Sequence, residues 1–241
     1  MPATTFADVL ATQLRHEPGR PLITFYDHDS GERVELSVTT YANWVAKAAG
    51  LLAEECDLER GDTLHLDLPT HWLGPVFLGA AWTLGLVVTD DTDTPDAVVT
   101  GPDGLDRWAA RTDDLVVLAC SLLPMGVRFA EPVPEGVLDV GVEIWAQPDG
   151  FTAWDPPTGD DPALEAAGAT IRQAEMIEAA TAGSLLTSGG RLLSVQNPAS
   201  PPEIHTFTEP LVLGGSLVLV AHPAPGRLDA TYTAERATSR G

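Results

Sequence analysis

The chain has 241 residues, 25.5 kDa, and 13 basic against 35 acidic side chains, a formal net charge of −22. That length suits one domain, or two small ones, and a hydrophobic fraction of 44% excludes a disordered chain. A surface this acidic repels phosphate backbones and anionic lipid, so neither nucleic acid nor a membrane surface is an expected partner. No run approaches the roughly 18 consecutive apolar residues of a membrane helix. Met1 to Leu10 lack the basic start and apolar stretch of a secretory signal, and the expectation is a cytoplasmic protein. Lys47 is the only lysine, a bias that a GC-rich genome or a salt-adapted host would produce. Cys56 and Cys120 fit no metal or redox spacing and read as small core hydrophobes.

In chain order, Leu22–Tyr26 and Glu32–Leu36 read as a β-hairpin around His28-Asp-Ser-Gly31. From Tyr41 the apolar residues Tyr41, Trp44, Val45, Ala48 and Leu52 follow helical spacing, with Thr39 or Thr40 as the cap. Thr63–Leu68 predicts a strand, and His71–Leu84, apolar nearly all round, predicts a buried helix ended by Gly85. Strands are expected at Leu86–Val88, Ala97–Thr100, Leu115–Ala119 and Val140–Trp145. Between Met125 and Pro162 prolines are frequent and helical periodicity is lost, which predicts irregular surface loops. A helix from Ile171 to about Ala182, a strand at Leu192–Val195, a helix around Glu203–Leu213 and a strand at Leu217–Val220 follow. A polar helix over Asp229–Thr238 closes the series. This alternation predicts an α/β fold, a mostly parallel sheet covered by helices with a short N-terminal antiparallel hairpin, in a single domain over 1–241.

The demanding catalytic motifs are missing. There is no Gly-Xaa-Ser-Xaa-Gly elbow and no Gly-Xaa-Gly-Xaa-Xaa-Gly after a strand. A Walker loop needs Gly-Lys-Ser/Thr, whereas Lys47 follows Ala46 inside a predicted helix. His65, Asp67 and His71 would allow a metal site, but satisfied polar side chains on and after a buried strand account for them better. Asp90, Asp91, Asp93 and Asp96 lack the glycine and distal glutamate of a calcium loop and read as a solvated acidic turn. Thr187-Ser-Gly-Gly190 has no lysine after it and reads as a connecting turn.

The order of several segments resembles the opening of the AMP-binding adenylate-forming enzymes, the superfamily of acyl-CoA synthetases, nonribosomal adenylation domains and luciferases. The segments are Pro21-Leu-Ile-Thr-Phe25, Leu36-Ser-Val-Thr-Thr-Tyr41, Leu58-Glu-Arg-Gly-Asp-Thr63 and the apolar stretch from His71 to Val88. Arg191-Leu-Leu-Ser-Val195 and Leu213-Gly-Gly-Ser-Leu-Val-Leu-Val220 extend the resemblance to about Ala237. It implies the N-terminal fold of an acyl-CoA synthetase.

The departures concern the chemistry. The family's phosphate loop, Ser-Gly-Thr-Thr-Gly-Xaa-Pro-Lys, should fall near Asp155-Pro-Pro-Thr-Gly-Asp-Asp-Pro162, where only Thr158 and Gly159 match. Asp155, Asp160 and Asp161 put carboxylates where triphosphate oxygens would sit, and like charges repel strongly in a desolvated site. The family's Pro-Leu-Phe-His segment is replaced by Asn197-Pro-Ala-Ser-Pro-Pro202, and the role of its histidine does not carry over to His205. The adenine-binding strand, the ribose-binding aspartate and the domain with the catalytic lysine have no counterpart. Adenylation depends on cations and donors placed at the reacting phosphate, so their loss removes the main catalytic term.

The resemblance therefore implies a degenerate relative without catalytic residues or cofactor, acting as a binding or assembly protein. Its partner, a second copy or another protein, would meet it at the C-terminal face. The alternative is a half-enzyme completed by a partner subunit, which would use ATP and magnesium and expose an apolar face near Leu211–Val220. A third reading is an unrelated enzyme on the same sheet, with Asp155, Asp160 and Asp161 as ligands or bases.

Overall fold

A computed structural model of the chain describes residues 3–241. Met1 and Pro2, at the start of the stretch read for a signal, lie outside the described residues. The first helix, α1 (Phe6–His16), begins where the Thr5 hydroxyl accepts the Asp8 N–H, and it buries Phe6, Val9 and Leu10. The expected hairpin follows as β1 (Pro21–Asp27) antiparallel to β2 (Arg33–Ser37). Next comes α2 (Val38–Gly50), capped by Ser37 and not by Thr39 or Thr40; Thr40 instead donates its N–H to the Ser37 hydroxyl. Then come β3 (Thr63–Asp67), α3 (Leu73–Leu84), β4 (Val87–Thr89), β5 (Ala97–Thr100), α4 (Leu105–Ala109) and β6 (Val116–Ala119). Gly85 ends α3 as expected, at φ +91°, a conformation that suits glycine.

The expectation of a strand over Val140–Trp145 is corrected. The strand, β7 (Val137–Asp139), comes just before, and the segment itself is the short helix α5 (Val140–Glu143) with a 3₁₀ turn over Ile144–Ala146. Asp139 turns the chain by accepting the Gly141 N–H, and the buried Val140 and Ile144 stand four apart, a helical spacing. From 147 to 161 there is no helix or strand. The helix expected from Ile171 starts later, as α6 (Gln173–Thr181). Ahead of it β8 (Pro162–Ala166) folds back through Ala167 and Gly168, both at positive φ, onto β9 (Ala169–Arg172). The chain finishes with β10 (Arg191–Ser194), α7 (His205–Val212), β11 (Ser216–Ala221), α8 (Pro225–Ala234) and β12 (Ser239–Arg240).

The strands form two sheets. One runs β12–β10–β11–β1–β2 and the other β7–β6–β5–β3–β4–β8–β9, and only the edge strands β2 and β9 are antiparallel to their neighbours. Helix α2 packs on β1 and β2, α3 packs on β3 and β4, and the two helices pack on each other, so they fill the space between the sheets. The Tyr41 hydroxyl of α2 donates to the Pro75 carbonyl of α3 at 2.8 Å, both inside this layer. Alternate strand residues face opposite covers. Leu217 and Leu219 join the central core with Leu64 and Phe77, whereas Val218 and Val220 pack outward with Leu228 and Tyr232 of α8. Val98 and Val117 likewise pack outward against Trp108 of α4. Strands buried on both faces need apolar residues at every position, which accounts for their unbroken apolar runs.

Candidate functional site

The loop carrying Thr158 and Gly159 leads into β8 and is closed on itself. The Thr158 N–H and hydroxyl both donate to Asp161 Oδ2, at 2.6 and 2.9 Å, and Arg60 lies 3.1 Å from Asp155 and 3.6 Å from Asp161. The Thr158 N–H, its hydroxyl and Arg60 lower the Asp161 pKa against a smaller opposing effect of burial. Gly159 accepts the Ala174 N–H, and a side chain on it would press against Thr4 and Ala174. Both residues thus stand at the N-terminal end of β8, while ligands of parallel sheets bind outside the carboxyl ends.

The other sequence candidates are dispersed. His65 Nδ1 is 3.0 Å from the Thr89 carbonyl. Asp67 accepts from Arg107 at 2.7 Å, Trp108 Nε1 at 2.8 Å and Thr100 Oγ1 at 3.1 Å. Among the described residues no three His, Cys, Asp or Glu side chains come together as a metal site. In the acidic turn Asp96 accepts from both the N–H and the hydroxyl of Thr63, Asp91 accepts the Asp93 N–H, and Asp90 accepts the Ala167 N–H. The 187–190 segment is the connecting turn expected, closed by Gly190 N–H to the Thr187 carbonyl. Asn197 donates to the Leu68 carbonyl at 2.7 Å and so ties the loop after β10 to the loop after β3.

That tie marks the edge of a different feature. The carboxyl ends of β1 and β11 in one sheet face those of β3, β5 and β6 in the other across a crevice of about 460 Å³. In the second sheet the order reverses between β3 and β5, since β4 lies to one side of β3 and β5 to the other. Such a switch point opens a gap at the carboxyl ends. Phe25, Leu68, Leu122 and Ala221 supply the crevice's apolar walls, and Asp27, Glu32, His71 and His222 supply polar groups.

The polar groups differ in how far they are satisfied. Burial would raise the Asp27 pKa, but hydrogen bonds from Ser30, His222 and the Asp29 N–H outweigh it and hold the value at about 2. The same 2.8 Å contact with Asp27 raises the His222 pKa, against a smaller effect of burial. His71, 4% exposed and edge-on to Phe25, accepts the Leu73 N–H at Nδ1. Its proton therefore belongs on Nε2, which is buried and has no partner among the described residues. Burial pushes the His71 pKa down to about 4, with Asp27 pulling weakly the other way. Glu32 Oε1 is also buried and unpartnered, and burial first, then the Asp27 charge, raises that carboxyl. Sequence reasoning missed this site. Its residues come from separate strand ends, and the local signals were Asp67 and His71, both already weighed as metal ligands.

No protein-family model matches the chain. A TIGR03089 family protein of Mycobacterium tuberculosis is 34% identical over 245 residues, covering 98% of this chain and 98% of that one. Among solved structures, an acyl-CoA synthetase of Brucella canis superposes with a TM-score of 0.81 at 17% identity, covering 98% of this chain and 46% of the synthetase. A mutant form of coronafacic acid ligase from Pectobacterium brasiliense gives 0.76 at 13% identity, with 97% and 49% covered. The chain spans about half the length of these two solved proteins. Their likeness shows the fold, as the resemblance implied.

Proposed function

We propose that this chain, which belongs to the TIGR03089 family, is a non-catalytic relative of the adenylate-forming enzymes that works as a binding or assembly protein in the cytoplasm. One observation carries the reading: the donors that could meet a triphosphate are already engaged. The Thr158 hydroxyl and N–H close on Asp161, and Lys47 donates to the Gln147 carbonyl and pairs with Asp149 at 3.1 Å. Adenylation needs cations and donors free to follow the charge that develops on the transferring phosphate. Here carboxylates hold them. The buried free thiols of Cys56 and Cys120 fit a reducing compartment, and burial raises both pKa values, Cys56 to about 12.

The half-enzyme alternative calls for an open apolar face around residues 211–220. In that segment Leu211 and the whole of β11 are buried within the chain, which weighs against it. Val212 and Leu213 are half-buried, and the most exposed large apolar side chains, Met125, Val142 and Trp145 among them, lie elsewhere.

Isotope exchange between pyrophosphate and ATP separates the two readings. With magnesium and a panel of fatty, aryl and amino acids, the protein is expected to give no exchange above the buffer rate. Exchange that depends on any carboxylic acid would restore the enzyme reading.

A further inference from the structure

We propose that the exposed apolar face formed by residues 123–127 and 142–145 docks a segment of another protein, a helix whose apolar stripe is flanked by lysine or arginine. This rests on the binding reading above and gives it a surface and a kind of partner.

Seven large apolar side chains stand exposed among the described residues, and five of them, Leu123, Met125, Val127, Val142 and Trp145, belong to two segments packed together. A side chain on Gly126 would meet the Trp44 ring at 3.2 Å, and the Trp145 ring stands edge-on to the same Trp44 at 5.5 Å between centroids. A side chain on Gly141 would run into the backbone of Val127 and Arg128. Exposed apolar residues scattered singly need no explanation, but a contiguous group marks a place of contact. None of the five lines the crevice between the sheets, so they offer a surface and not a pocket. Met125, the most exposed of them at 66%, sits at φ +66°, a left-handed conformation that favours glycine, and still presents an apolar side chain to water. A flexible methionine and a half-exposed tryptophan are residue types enriched where proteins meet.

Charge selects the partner. Between Arg111 and Arg172 the only basic residue is Arg128, against eleven acidic ones. Glu143 follows Val142 in α5, and Glu55 lies 3.5 Å from Gln147 just past Trp145. Asp149, paired with Lys47, comes two residues further on. A second copy of this chain would bring another net charge of −22 against the first, and an anionic lipid surface is repelled in the same way. A helix with basic residues beside its apolar stripe complements both the apolar face and the acids around it.

Fluorescence anisotropy on the full chain tests this with three labelled peptides about 14 residues long. One has leucine and lysine at amphipathic helical spacing, one has the same composition shuffled so that no apolar face forms, and one has leucine and glutamate at the amphipathic spacing. The first is expected to bind with a Kd at or below about 100 μM, and the other two at least about tenfold more weakly. Amide and indole spectra by nuclear magnetic resonance should place its shifts on the Trp145 indole and on the backbone of 123–127 and 140–145. Met125→Ser combined with Val142→Ser, both exposed positions, should weaken that peptide at least about tenfold and keep the wild-type spectrum elsewhere. A lysine peptide bound no more tightly than its shuffled form, shifts confined to other surfaces, or an affinity unchanged in the double variant would each overturn the assignment. So would a dimer seen by sedimentation in the wild type and lost in the double variant, which would give the face to a second copy. Pyrophosphate exchange on the same samples keeps the two readings apart: failed peptide binding without exchange removes the partner and leaves the non-catalytic reading standing. Exchange removes the latter.

Discussion

Replacing Trp82 with alanine is expected to lower the unfolding free energy by about 3–5 kcal/mol, the range for deleting a large aromatic from a core. Trp82 is fully buried in α3 and tilted against Phe6 at 5.6 Å between ring centroids. Its indole N–H donates to the Ala163 carbonyl of β8 at 2.8 Å, and its own carbonyl accepts from Gln173. Gln173 in turn accepts the Phe6 N–H at 2.9 Å, so two side chains, Trp82 and Gln173, join α1, α3, β8 and α6. The alanine variant loses the ring's buried area, leaves a cavity and frees the Ala163 carbonyl. Trp82→Phe keeps most of the ring and should lose less. Urea melts of the three proteins would check the order, with the midpoint falling and the slope unchanged if the native state is preserved.

The second large effect is a dependence on pH. His71 takes up a proton near pH 6.5 in the unfolded chain but only near pH 4 in the folded one, because burial disfavours the imidazolium. Between those values the unfolded state binds more protons, so stability falls as pH falls from 6.5 to 4 and levels off below. The loss is about 3 kcal/mol. His28, also lowered by burial and by Arg227, acts in the same direction. Two neighbours in the crevice act in the opposite direction. The raised His222 contributes stability that is present below 6.5 and lost above its folded pKa, and the raised Glu32 contributes a loss as pH rises above 4.5. The comparison that isolates His71 is with His71→Phe. Wild type should lose about 3 kcal/mol more than the variant over this interval, and parallel curves would show that His71 does not titrate as its burial requires.

Much of the architecture was legible because its causes are local. Strands buried on both faces, such as β5 and β11, show unbroken apolar runs, and Gly85 announces the end of α3. What escaped was short or set by distant partners. The β8–β9 hairpin was not foreseen, and the helix expected from Ile171 took in the end of β9, because Ala169–Arg172 is a four-residue edge strand held by pairing to β8. Helix α1 went unread although Thr5 and the Phe6, Val9, Leu10 spacing are helical signals.

The candidate site was far less legible. A Thr-Gly pair is visible to the eye at 158–159, but nothing local tells that the Thr158 hydroxyl closes on Asp161. Asp27 and His222 meet at 2.8 Å although 195 positions apart, and Glu32 and His71, which follow strands of different sheets, line one crevice. Only the topology brings the carboxyl ends of five strands together.

The most direct test of the account is a calorimetric titration of the purified protein with ATP plus magnesium, and with AMP. No binding of either is expected up to about 1 mM, where the free energy of association has fallen to about −4 kcal/mol. A micromolar isotherm with either nucleotide would contradict it and would mean that the carboxylates around Thr158 and Gly159 hold magnesium and phosphate instead of repelling them.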